Sequence, residues 1–257
     1  MIDLPKAYAA FASYVKNYNP EDGKVRLKIV HTEHVAAISR DIAQSLHLSK
    51  EDVQLAELIG LLHDIGRFEQ IKRYGDFRDF LTIDHGNFGA QLLKEGLIER
   101  FLDDTSLYDL IITAVQLHNK YRLPDGLDDR TLLHCRIIRD ADKTDIFRVR
   151  TEDPLLDVQT FTREQMENSA VTPALYEEFF QEHSILAKPG RTPADTWIAA
   201  TALIFDYNFP RGLAILKEKD YISRMIHRFD FKLPDTKEKM ANVEQYANGW
   251  LDVHSRA

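Results

Sequence analysis

Apolar residues recur at helical spacing along most of the chain, and runs that alternate between apolar and polar residues are scarce. Between Lys24 and Leu48, apolar residues recur at spacings of three, four and eight positions, at Leu27, Val35, Ile38, Ile42 and Leu46. This spacing places the apolar side chains on one face of a helix. The sequence therefore predicts an all-α fold. Its first helices are expected over three ranges: 4–18, 24–48 and 49–66.

Capping and turn signals mark the remaining helices. Asp84 is predicted to cap a helix of about ten residues, and Thr105 or Ser106 to cap the next one. Residues 67–83 are expected to form a polar connection, and residues 130–149 a long helix. Helical patterns return after a segment with several Pro and Gly residues, over three ranges: 193–207, 210–229 and 236–252.

The length of 257 residues allows one large domain or two smaller ones. We expect a core with an N-terminal helix over residues 1–150. A helical extension over residues 151–257 is expected to pack on this core, so that the whole chain could form one domain.

The charge balance limits the partners of the protein. There are 33 Lys and Arg residues against 41 Asp and Glu residues, a formal net charge of −8. A surface of this sign does not attract nucleic acid or an anionic membrane over a broad face. An anionic ligand therefore needs a local cluster of positive charge or metal ions.

Cysteine content and hydropathy indicate the compartment. The single cysteine, Cys135, excludes an internal disulfide framework and a Cys-rich zinc module. No apolar run approaches the roughly 20 residues of a membrane helix, and the first residues lack the pattern of a signal peptide. We therefore expect a cytoplasmic protein.

Histidines inside apolar helical stretches are the most informative residues. Four of the ten histidines stand in such stretches, namely His31, His63, His85 and His118. Asp64 follows His63 directly, and the string RDADKTD places further carboxylates at residues 139–145. A lone histidine of this kind is usually a hydrogen-bonded core residue. Burying several imidazoles and carboxylates costs about 1–3 kcal/mol each unless they are satisfied, and divalent metal ions satisfy many at once.

Two of these positions have close competitors. His34 competes with His31, but only His31 shares the apolar stripe of its helix, so His34 is expected to face solvent or to lie outside the ligand set. Asp140 competes with Asp142, and helical periodicity does not separate these two aspartates.

The order of the residues resembles the H…HD…D signature of the HD-domain superfamily of metal-dependent phosphohydrolases. The resemblance covers roughly residues 25–150 and rests on His31, the string LLHDIG at 61–66 and the string ADK at 141–143. It implies an HD-domain helical bundle with additional C-terminal helices. The ADK context matches the aspartate ligand of the family and so favours Asp142.

Two more strings, DHG at 84–86 and QLHN at 116–119, resemble the dinuclear branches of this superfamily. In those branches the aspartate of the His-Asp pair bridges two metals. The resemblance implies one ion on His31, His63, Asp64 and Asp142, and a second on Asp64, His85 and His118. Imidazole and carboxylate ligands suit iron, manganese, nickel, cobalt or zinc. We therefore expect two divalent transition-metal ions per chain.

The resemblance also implies the reaction. We expect a phosphomonoesterase or phosphodiesterase in which a metal-activated hydroxide attacks a small phosphorylated molecule, with a nucleotide as the predicted substrate. Asp64, Arg67 and Lys143 are expected to be catalytic. The basic residues expected to bind the substrate are Arg67, Lys120, Arg122, Arg139 and Lys143. The alternatives are a di-iron oxygenase with the same ligands and a non-catalytic HD sensor module.

Overall fold

The computed structural model describes residues 2–186 and 188–256, which contain helices and no strand. The predicted all-α fold is therefore confirmed. The chain divides between Asp142 and Lys143 into two compact units. The expected domain boundary near residue 150 and the packing of residues 151–257 on the core stay predictions. In the described ranges, no helix is both long and apolar enough to cross a membrane.

The first unit is built from α-helices and their connecting segments. They are α1 (Leu4–Val15), α2 (Gly23–Ser45), α3 (Lys50–Leu62), α4 (Ile65–Tyr74), α5 (His85–Lys94), α6 (Tyr108–Leu117) and the first part of α7 (Asp129–Glu152). Short 3-10 turns cover Asp79–Leu81, Leu97–Arg100 and Thr105–Leu107.

Two of the predicted caps have different outcomes. Asp84 caps α5 as predicted, since its Oδ1 accepts a hydrogen bond of 2.9 Å from the backbone N–H of Asn87. The cap at Thr105 or Ser106 is wrong. A 3-10 turn precedes α6, and its cap is Asp104, which accepts from the backbone N–H of Ser106.

The predicted helix over 49–66 and the polar connection over 67–83 also need correction. The helix ends at Leu62 and the chain bends at Asp64, where φ is −102° and ψ is 17°. A new helix, α4, then covers Ile65–Tyr74. Its apolar residues Ile65, Phe68 and Ile71 are buried at helical spacing, although polar and basic residues stand between them.

Helices pack closely around the bend between α3 and α4. A Cβ at Gly60 on α3 would lie 2.6 Å from Cα of Ala36 on α2, so the two helix backbones almost touch there. A Cβ at Gly66 would lie 2.7 Å from the carbonyl oxygen of His85. These glycines allow α2 and α5 to approach the turn between α3 and α4.

The second unit follows from Lys143. Its helices after α7 are α8 (Leu155–Val158), α9 (Arg163–Glu167), α10 (Pro173–Phe179), α11 (Pro193–Thr201), α12 (Pro210–Glu218), α13 (Tyr221–Ile226) and α14 (Pro234–His254). Phe147, Phe179 and Trp197 are fully buried in its core. The single helix predicted over 210–229 is wrong, because Asp220 has a φ of 51° and this left-handed conformation separates α12 from α13.

Candidate metal centre

The side chains predicted to bind metal all lie in the first unit. They are His31 within α2, His63 and Asp64 in the turn between α3 and α4, His85 at the start of α5, His118 at the end of α6, and Asp142 within α7. The histidines and Asp64 are buried, whereas the side chain of Asp142 is 18% exposed. Elements far apart in sequence therefore deliver these polar groups to one place.

The ligand atoms form three overlapping groups. Within each group, the nitrogen or oxygen atoms lie within 4.8 Å of one another. The groups are His31 with His63 and Asp64, His63 with His118 and Asp142, and Asp64 with His85 and His118. His34 is exposed and Asp140 is fully buried, and neither belongs to these groups.

Asp64 stands between two pairs of imidazoles. Its Oδ2 lies 3.6 Å from Nε2 of His31 and 3.5 Å from Nε2 of His63. Its Oδ1 lies 3.4 Å from Nε2 of His85 and 3.7 Å from Nε2 of His118. Each carboxylate oxygen thus faces a different pair of ring nitrogens.

Hydrogen bonds at the far side of the rings fix which nitrogen carries the proton. Nδ1 of His63 lies 2.7 Å from the carbonyl oxygen of Gly60, and Nδ1 of His118 lies 2.7 Å from that of Val115. A carbonyl only accepts hydrogen bonds, so Nδ1 is the donor in both rings. In a neutral imidazole, Nε2 then carries a lone pair.

The unprotonated Nε2 atoms of these histidines can bind metal ions. Nδ1 of His85 is bound to the carboxylate of Asp79 at 2.5 Å, so its Nε2 also carries a lone pair when the ring is neutral. Nε2 of His85 and Nε2 of His118 are only 2.9 Å apart. Two lone pairs at this distance repel each other, whereas a cation bound between the rings would be stabilised by both.

The protonation states also suit metal ligands. Burial lowers the pKa of His63, and burial with the nearby charge of Arg67 lowers the pKa of His85 to about 3. Burial alone would raise the pKa of Asp64, but Lys28 and His63 outweigh it and hold that pKa well below its usual range. Neutral imidazoles and an ionised carboxylate are the forms that bind metals.

Two cations contact Asp64. Nζ of Lys28 lies 2.6 Å from its Oδ2, and Nε of Arg67 lies 3.6 Å from its Oδ1. Both cations also lie against the ring of Phe77, at 5.4 and 5.5 Å from its centroid. Lys28 was not predicted from the sequence, although its position three residues before His31 places both side chains on one side of α2.

The part of the chain that contains these side chains matches a known protein family. Residues 29–146 match the family model of the HD domain. This segment is an HD domain. The match confirms the resemblance seen in the sequence, and the HD domain contains every predicted metal ligand. The comparisons with curated proteins and with solved structures give no significant match.

Three of the other basic residues predicted to bind the substrate contact oxygen atoms of the protein, and the fourth is exposed. Within the HD domain, Nζ of Lys120 lies 2.5 Å from Oδ2 of Asp84, and Arg139 donates to the carbonyl oxygen of Lys120. Arg122 is exposed. Lys143 belongs to the second compact unit, where its ammonium lies 2.6 Å from Oδ2 of Asp206. Their roles toward a substrate stay predictions.

Proposed function

We propose that this HD domain is a metal-dependent phosphohydrolase that cleaves a phosphomonoester or phosphodiester of a small molecule, with a nucleotide as the expected substrate. The observation that carries the proposal is the position of Asp64. Its two oxygens face two separate pairs of imidazole nitrogens, and a lysine and an arginine stand beside it.

These side chains would hold two ions that share Asp64. We assign one ion to His31, His63, Asp64 and Asp142, and the second to Asp64, His85 and His118. Divalent ions in such a pair polarise phosphoryl oxygens and lower the pKa of bound water. Imidazole and carboxylate ligands suit iron, manganese, nickel, cobalt or zinc.

Arg67 supplies positive charge for an anionic substrate. Its Nη1 is fixed by Oε1 of Gln70 at 2.7 Å and by Oδ1 of Asp79 at 2.8 Å. Its Nε is buried and has no hydrogen-bond partner among the described residues. A phosphate oxygen beside Asp64 would accept this N–H, so Arg67 is oriented to bind a substrate before the substrate arrives.

Lys28 adds a second positive charge, next to the other oxygen of the Asp64 carboxylate. Its side chain is 14% exposed, so its ammonium is largely shielded from water. A shielded ammonium attracts a phosphate more strongly than one at the surface does. Lys28 and Arg67 together favour an anionic substrate over a neutral one.

Phosphate release from a panel of esters tests the proposal. Metal-depleted protein is reloaded with each candidate metal and incubated with nucleoside monophosphates, cyclic nucleotides, dinucleotides and sugar phosphates. We expect metal-dependent hydrolysis of at least one class. It should be lost in Asp64→Asn and kept in His34→Gln, because His34 is exposed and outside the ligand groups.

Two results of the phosphate-release experiment would contradict the proposed hydrolase. Protein that holds two ions per chain but hydrolyses none of the esters would contradict the proposal. Substrate-dependent oxygen uptake by the iron-loaded protein, without ester hydrolysis, would support the oxygenase alternative. The cytoplasmic location and the lack of a broad nucleic-acid surface stay predictions from the sequence.

A further inference from the structure

The histidines of the centre find acceptors for their Nδ1–H groups in two different ways. His63 follows the last residue of α3, and His118 follows the last residue of α6. Each donates to the carbonyl oxygen three residues earlier, Gly60 and Val115 respectively. The last carbonyls of a helix have no partner within the helix, so they are available as acceptors.

His85 cannot use this arrangement. It is the first residue of α5, so no helical turn precedes it. The chain before it is the segment 75–84, which contains only the short 3-10 turn Asp79–Leu81. The acceptor is instead a side chain: Oδ2 of Asp79 lies 2.5 Å from Nδ1 of His85.

Several donors hold the Asp79 carboxylate in place. Its Oδ1 accepts from Nη1 of Arg67 at 2.8 Å and from Nε2 of Gln70 at 3.1 Å. Its Oδ2 accepts from Nδ2 of Asn119 at 3.3 Å as well as from His85. The carboxylate therefore cannot turn away from the imidazole without breaking these bonds.

Gln70 also ties the segment 75–84 to α4. The same Nε2 that binds Asp79 lies 2.8 Å from Oγ1 of Thr82 and 3.0 Å from the carbonyl oxygen of Ile83. The position of Asp79 is thus set by the fold of the segment and by α4, and not by the rotamer of Asp79 alone.

We propose that Asp79 is a positioning residue of the metal centre. It holds His85 in the tautomer whose Nε2 lone pair faces Asp64 and His118. A carboxylate partner at Nδ1 is negatively charged, so it makes Nε2 a stronger metal ligand than a neutral carbonyl partner at Nδ1 would. Hydrogen-bonded partners of metal-binding histidines commonly change metal affinity by 10–100-fold. The inference rests on the proposed metal centre, and it makes the ion on His85 dependent on the segment 75–84.

Metal titration of metal-depleted protein tests this dependence. We expect Asp79→Ala to weaken binding of the second Zn²⁺ by about 10–100-fold and to leave the first unchanged, as measured by isothermal titration calorimetry. Asp79→Asn keeps an acceptor oxygen without the charge, so its affinity should lie between those of Asp79→Ala and the unmodified protein. The control is Asp76→Asn in the same segment, because Asp76 pairs with Arg78.

The nitrogen-15 spectrum of the imidazoles gives a second measurement, made on the metal-free protein. His85 should carry its proton on Nδ1 in the unmodified protein and in Asp79→Asn, and should shift toward the other tautomer in Asp79→Ala. A role of Asp79 in folding alone would not change the tautomer of one histidine. Circular dichroism checks that each variant is folded.

The outcomes separate this inference from the proposed function. Unchanged affinity for the second ion and an unchanged His85 tautomer in folded Asp79→Ala would overturn the role of Asp79. Unmodified protein that binds no second ion would contradict the dinuclear centre and, with it, a positioning role toward that ion. Normal metal binding without ester hydrolysis would contradict the proposed function and leave the role of Asp79 standing.

Discussion

The ammonium of Lys28 lies 2.6 Å from Oδ2 of Asp64, the same carboxylate oxygen that faces Nε2 of His31 and of His63. A fixed cation of the protein and a bound metal cation would therefore share one oxygen. Like charges at short distance repel strongly where water is largely excluded. Lys28 is thus expected to weaken metal binding while it attracts an anionic substrate.

Lys28→Met tests both effects, because it removes the charge and keeps most of the side-chain length. We expect the affinity for the ion on His31 and His63 to rise by about tenfold, equivalent to about 1.4 kcal/mol. The KM for a phosphate ester should rise as well. Lys24→Met is the matched control on α2, since Lys24 binds the backbone oxygen of Gly75. Weaker metal binding with an unchanged KM would contradict this role of Lys28.

Asp64→Asn removes the charge that both imidazole pairs face and keeps the shape of the side chain. We expect both ions to be lost, because each proposed ion depends on one oxygen of this carboxylate. The helical circular dichroism spectrum should be retained. Elemental analysis of the purified variant gives the metal content, and two ions per chain in that variant would show that Asp64 does not bridge.

Asp140 and Asp142, two of the three aspartates of RDADKTD, differ in their surroundings. Oδ1 of Asp142 lies 3.1 Å from Nε2 of His31, whereas Asp140 is fully buried and outside the ligand groups. We expect Asp142→Asn to weaken the ion on His31 and His63, and Asp140→Asn to keep the metal content. Both variants are compared by elemental analysis after dialysis. Greater metal loss in Asp140→Asn would reverse the assignment.

Much of the fold was predictable because the burial stripe of a helix is local in sequence. The α5 cap at Asp84 and the helical ranges around His31 and the string RDADKTD follow from such local signals. The break between α12 and α13 did not follow, since no Gly or Pro marks the left-handed residue Asp220. The start of α4 was hidden because its polar and basic residues interrupt the apolar pattern.

The metal centre likewise contains residues with a local sequence signal and residues without one. Its histidines and aspartates stand out because they are polar residues in apolar helices. Lys28 and Asp79 do not stand out, because a single lysine or aspartate outside a motif is usually a solvent-exposed residue. Their contacts depend on tertiary structure: Lys28 meets a residue 36 positions away, and Asp79 reaches His85 through an irregular segment.

Replacing His85 and His118 together tests whether the centre holds two ions. Their Nε2 atoms face Oδ1 of Asp64, so the double variant His85→Ala with His118→Ala should hold one ion per chain in place of two. We expect hydrolysis to fall by at least about a hundredfold, since a second ion supplies several kcal/mol of charge stabilisation. Unchanged metal content with a higher KM would place both histidines in the substrate pocket.

Gly66→Ala tests whether the approach of α5 to α4 sets the position of His85. The added Cβ would lie 2.7 Å from both the carbonyl oxygen of His85 and the backbone nitrogen of Gly89. Backbone atoms cannot turn aside as a side chain can, so α5 must move away from α4. Overpacking of this kind costs about 1–3 kcal/mol of stability.

Gly66→Ala should lower the midpoint of thermal unfolding in the metal-free protein, and it should weaken the ion on His85 more than the ion on His31. The control is Gly249→Ala on α14, where an added Cβ meets no atom within 4 Å. That change should stabilise the protein by about 1 kcal/mol, because alanine favours a helix over glycine. Lower stability of Gly66→Ala with unchanged affinity for both ions would separate the packing of α5 from the geometry of the metal centre.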